Sequence, residues 1–114
     1  MQRQRKITFE PLRPFFDSTL DVRDLVLLTI ADLRNNRVWL LSALAFEDDE
    51  SLRSILMTLK ELFISIGEPA ASALCQHLLI DMSESTTPFD QENYAELLFF
   101  VDDTIIELAT EATS

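Results

Sequence analysis

Apolar residues recur along this chain at helical spacing, and most clearly so in its middle. Leu52, Leu56, Leu59, Phe63 and Ile66 follow at steps of four, three, four and three, which is one face of an α-helix turned toward a core. Asp49 or Ser51 offers a start, because a short oxygen-bearing side chain accepts from the unbonded N–H groups of the first turn. Gly67, the only glycine, marks the stop, and Pro69 prevents continuation. The pattern then predicts a further helix over 68–82, with Ala71, Leu74, Leu78 and Met82 inward. So short a connection makes it fold back antiparallel.

Residues 21–46 read as one long helix on Val26, Ile30, Leu33, Leu40 and Leu44, widened by Leu41 and Ala45 and interrupted by Arg37. Asn35 and Asn36 admit a bend, but without Gly or Pro the helix is kept whole. Trp39 is expected to cap the edge of the core. The acidic run 47–50 reads as a turn plus the first residues of the next helix, where the helix dipole favours negative charge. After a polar loop over 83–87, Pro88 and the cap Asp90 open a last helix. Its stripe is Tyr94, Leu98, Val101, Ile105 and Leu108, with Phe99, Phe100 and Ile106 beyond it. A helix apolar on more than one face either sits centrally or meets another chain. At the start, Phe9, Leu12, Phe15 and Phe16 with Pro11 and Pro14 predict a short N-terminal helix or turn laid over one end. The expected fold is all-α: an antiparallel up-down four-helix bundle with that short N-terminal helix. Residues 1–6 are expected to be a flexible basic tail, 7–111 a single domain and 112–114 a frayed end.

Composition narrows the function. No stretch is apolar for long enough to span a bilayer, and no apolar block follows the basic start, so a cytoplasmic protein is expected. The single cysteine, Cys75, excludes an internal disulfide and reads as a small buried thiol. One His and one Cys cannot build a zinc site, and no cofactor motif is present. Residues 1–60 carry nine basic and nine acidic side chains, whereas 61–114 carry eleven acidic and none basic. The whole formal charge of −11 therefore lies in the second half, which repels nucleic acid and suits a basic partner surface or serves solubility.

Opposite the core stripe of the 49–67 helix lie Arg53, Met57, Lys60, Glu61 and Ile64. Positions 53, 57, 60 and 64 form one row, with 61 a turn beyond 57. Met57 and Ile64 either pack under a neighbouring helix or stand on this row as contacts for a partner. The segment resembles the phosphoacceptor region of histidine phosphotransfer (HPt) domains, roughly L-x-x-x-x-H-x-L-K-G-x-x-x-x-x-G, at Leu52, Leu59, Lys60 and Gly67. Ala71, Leu74, Cys75 and Leu78 fit that family's next helix. The resemblance covers roughly residues 21–110, with specific motif content only in 52–78. Two positions depart from it. Met57 stands where the phosphorylated histidine would be, and Glu61 replaces a glycine one turn on. A thioether has no nucleophilic nitrogen to form a phosphoramidate, so the resemblance implies the bundle without the phosphate.

Two readings follow. The first is a phosphorylation-incompetent, HPt-like protein-binding regulator that docks on a receiver domain or a sensor histidine kinase in two-component signalling. Arg53, Met57, Lys60, Glu61 and Ile64 would make that contact. The second is an acidic helical adaptor, sequestering chaperone or charge mimic that binds a basic partner outside any phosphorelay. A homodimer through the surplus apolar face of the last helix is a further partner the sequence admits. No enzyme is expected. His77 is read as a surface or half-buried histidine, the serines lack a nucleophile elbow, and the paired carboxylates 48/49 and 102/103 diverge around their helices.

Overall fold

A computed structural model describes residues 22–84 and 89–113, and among these there is no strand. The expected basic tail, the N-terminal helix or turn, and most of the loop before the last helix lie outside the described residues. The regular structure of the described residues is all helical: α1 (Val22–Ala45), α2 (Asp49–Ser65), α3 (Pro69–Glu84), a short 3₁₀ helix (Gln91–Tyr94) and α4 (Ala95–Thr113). α1 packs on both α2 and α4, α2 packs most extensively on α3, and the seam between α3 and α4 is thin. One apolar core runs through all four helices, with Leu33, Leu40, Leu52, Leu59, Phe63, Leu97 and Val101 fully enclosed.

α1 is uninterrupted, as its pattern predicts, and its buried face is wider than the expected stripe. Leu25, Thr29, Asn36 and Ala43 are also covered, because this helix meets neighbours on two sides. The buried polar groups there satisfy themselves locally. The Thr29 hydroxyl donates to the Leu25 carbonyl at 2.8 Å, and the Asn36 amide to the Asp32 carbonyl at 2.8 Å. Arg37, the break in the stripe, donates from Nε to Asp102 Oδ1 of α4 at 2.7 Å and from its second nitrogen to Oδ2 at 3.3 Å.

The joints at either end of α2 use the same backbone device with different residues. At the end of α1, Asp48 N donates to Ala43 O and Glu47 N to Leu44 O, with Glu47 left-handed at φ 51°. At the end of α2, Glu68 N donates to Phe63 O and Gly67 N to Ile64 O, with Gly67 at φ 79°. This is the Schellman closure, in which the left-handed residue satisfies the last carbonyls. Glycine takes that conformation freely, whereas a residue with a Cβ pays about 1 kcal/mol or more. Glu47→Gly is therefore expected to raise stability by about 0.5–1 kcal/mol, and Gly67→Ala to lower it by about 1 kcal/mol. Denaturant midpoints check both; shifts in the same direction would refute the explanation.

Several expectations about element ends and faces are corrected. The cap of α2 is Asp48, not Asp49 or Ser51: its carboxylate accepts from Ser51 N at 3.1 Å and from the Ser51 hydroxyl at 2.8 Å. In α3, Cys75 is buried as expected, but Ser72 is buried as well and Leu74 is only half-covered, because the Ser72 hydroxyl reaches the Lys60 carbonyl of α2 at 2.9 Å and draws that side inward. In the last element the enclosed stripe runs from Tyr94 of the 3₁₀ helix through Leu97, Val101, Thr104 and Leu108 of α4, and Leu98 and Ile105 flank it. Asp90 caps the 3₁₀ helix rather than α4 itself. That tighter turn advances the chain at a different angle per residue and shifts the phase in which α4 enters. α4 also continues to Thr113.

Two buried acids respond to this packing. Burial pushes the Cys75 thiol from 9.0 up to about 12. It pushes the Tyr94 phenol from 10.0 up to about 12, with the negative charges of Asp81 and Asp49 adding to the effect. Both groups hold their protons more tightly folded than unfolded. The stability they contribute is complete below pH 9 and is lost as pH rises toward 12. The urea midpoint is expected to fall across that window, and Cys75→Ala to flatten its first part. A midpoint that is constant from pH 8 upward to 12 would contradict this.

Candidate functional site

The outer side of α2 carries Arg53, Met57, Glu61 and Ile64 in the open, because its core stripe takes Leu52, Leu56, Leu59 and Phe63 to the opposite side. Met57 is 56% exposed and Ile64 54%, so neither packs under a neighbouring helix. Arg53 Nε pairs with Asp49 Oδ2 one turn back at 3.3 Å, in the open, where such pairs are worth little. Lys60 differs from the other four. It is half-buried and turned toward α3, where its Nζ donates to Gln76 Oε1 at 2.6 Å.

The Lys60–Gln76 bond makes the site a two-helix surface. Ile80 stands one turn beyond Gln76 on α3 and is also exposed, so Met57, Ile64 and Ile80 surround a bridged amine–amide pair. Gln76 and Ile80 were not singled out from the sequence. The signal for them is the Lys60–Gln76 separation of 16 residues across the α2–α3 turn, which only a register for that turn could supply.

The chemistry available on this surface is recognition. Met57 offers a polarizable apolar anchor, Lys60 a cation held in place, and Glu61 a carboxylate one turn from Met57. His77 lies on α3 one residue past Gln76, turned by about 100°. Its ring is open to solvent with Nε2 4.0 Å from Asp81 Oδ2. Among the described residues no group of three His, Cys, Asp or Glu side chains could hold a metal ion, and no helix is long and apolar enough to cross a membrane.

A second surface feature lies on the other flank of α2. Trp39, Ser42, Ala43 and Phe46 of the α1 end, Asp48 of the turn, and Ser51, Ser54 and Ile55 of α2 line an open groove of about 380 Å³. Trp39 does stand at the edge of the core, beside Ala43 and Ile55, yet its ring remains more than half exposed, and Phe46 is exposed at 81%. The two Ser51 hydrogen bonds hold the Asp48 carboxyl below the usual carboxylate range. Trp39 and Phe46 are seven apart, two helical turns, which was a readable hint of a shared face.

Compared with protein-family models, curated proteins and solved structures, the chain matches none.

Proposed function

We propose that this chain is a phosphorylation-incompetent, HPt-like docking module, with helices alternating in direction, that binds a receiver domain or a sensor histidine kinase through the outer α2 row and the adjoining edge of α3. The observation that carries this reading is the exposure of Met57 at the position corresponding to the phosphoacceptor, with Lys60 held beside it. The short turns at 46–48 and 66–68, and the packing of α2 on both α1 and α3, support an up-down arrangement. A thioether cannot carry phosphate, so the module occupies a partner's surface without relaying a phosphoryl group. Met57 and Ile64 supply apolar anchors, and Arg53, Lys60 and Glu61 set the charge pattern around them.

Titration against a panel of receiver domains and kinase dimerisation domains tests this. Met57→Asp is expected to weaken any binding found by roughly 30-fold or more, the cost of losing a central apolar anchor. Unchanged affinity in that variant would remove the proposed face. The groove beside the acidic run 47–50 favours one alternative, an acidic adaptor for a basic partner outside phosphorelay. Binding of that kind falls steeply with salt and depends on Trp39 rather than Met57.

A further inference from the structure

The large apolar side chains left in the open do not scatter. Three flank the Lys60–Gln76 pair, three belong to the groove side of α1, and the remaining four form a patch on α1 and α4. On α1, Leu27, Ala31, Arg34 and Val38 follow at steps of four, three and four, all exposed. On α4, Phe99, Asp102 and Ile106 follow at three and four. Val38, Phe99 and Ile106 are each 60% exposed or more, and Leu27 is 48% exposed. The two stripes are joined at the surface by the bidentate Arg37–Asp102 pair, since Asp102 lies in the α4 stripe and Arg37 is one turn from Arg34. Four large exposed apolar side chains gathered around an ion pair mark an interaction site.

We infer that this α1–α4 face is where two copies of the chain associate, α1 of each lying on α4 of the other. Charge selects the occupant and the pairing. The ionised residue of the α1 stripe is Arg34, whereas α4, like everything after residue 60, carries carboxylates and no cation. A two-fold axis running along the helices sets Arg34 of one copy toward Asp102 of the second, and Val38 toward Phe99. The perpendicular axis would oppose arginine to arginine and carboxylate to carboxylate. The area places the contact among small interfaces. α4 is about 28 Å long, and two helices about 9 Å apart present roughly 500 Å² per copy. That is below the ~800 Å² of a standard interface, so the dimer is weak and dissociates on dilution.

Sedimentation of the full chain from about 1 to about 500 µM, the range in which an interface of this size assembles, should show the weight-average mass rising toward two chains. Phe99→Glu should move the midpoint upward at least tenfold while leaving helical circular dichroism unchanged, and Met57→Asp should leave it in place. Pairing is read by oxidation. Mixed Val38→Cys and Phe99→Cys chains should form at least ten times more cross-linked dimer than either alone, the buried Cys75 staying out of reach. A chain that is monomeric throughout overturns the inference. So does a dimer indifferent to Phe99→Glu, or one whose Val38→Cys copies link to each other as readily as to Phe99→Cys. Because Met57→Asp and Phe99→Glu act on opposite faces, failure here leaves the proposed docking function standing, and the reverse also holds.

Discussion

A Met57→His, Glu61→Gly chain is expected to take up acid-labile phosphate from a phosphorylated receiver domain, where the natural chain takes up none. Met57 is the residue that the HPt resemblance sets against the phosphoacceptor, and it lies open to solvent, so an imidazole placed there can be reached by a partner. Its nitrogen supplies the nucleophile that the thioether lacks. Lys60, anchored by Gln76, places a cation within a turn of the arriving phosphoryl group. Glu61 opposes it with a like charge one turn away, so Met57→His alone should label less than the double variant. A glycine in mid-helix costs about 1 kcal/mol, which one exposed turn of α2 can absorb. Phosphoramidate detection over a panel of receivers is the measurement. A folded double variant that no receiver labels would remove the case for an HPt-like docking surface, since the site would then have been given its chemistry and still found no donor.

The largest loss of stability is expected from Phe63→Ala, at about 3–5 kcal/mol. Phe63 is 0% exposed and is among the largest side chains fully enclosed in the core. Its carbonyl also accepts the Glu68 N–H that closes the α2–α3 turn. Removing the ring leaves a cavity between helices already committed to each other, and the loss is a large share of the ~5–15 kcal/mol a domain of this size has in total. Met57→Ala, six residues earlier on the open side, is expected to change stability by less than about 0.5 kcal/mol. Chemical denaturation of the two variants compares them directly. Similar losses in both would mean that α2 does not present the faces assigned to it.

The helices were legible because their apolar residues keep strict spacing over many turns. Leu52, Leu56, Leu59, Phe63 and Ile66 fix the inward face of α2 on their own, and that fixes which residues face out. Gly67 was legible for a different reason, since only the residue without a Cβ takes φ 79° at no steric cost. Apart from apolar residues such as Leu25, Ala43 and Leu97, which widen or shift the apolar stripes, what escaped the sequence was polar. Thr104, Ser72 and Asn36 are buried but lie outside every stripe that the apolar spacing marks, because a hydroxyl or amide reveals its burial only through the partner it finds. The sequence offered Asp49 or Ser51 as the cap and missed Asp48, which only the backbone turn at Glu47 places over the Ser51 N–H. The Lys60–Gln76 bridge and the groove under Trp39 depend on which helices become neighbours, and no local pattern encodes that.

The thin α3–α4 seam has a consequence for how the molecule comes apart. α2 with α3, and α4 with α1, form two well-married pairs, and the chief bond between the pairs is the α1–α2 contact, hinged at the strained Glu47. Opening should therefore proceed by parting the pairs rather than by peeling single helices. In native-state hydrogen exchange, amides along α2 and α3 would lose protection together, as one cooperative block distinct from that of α1 and α4.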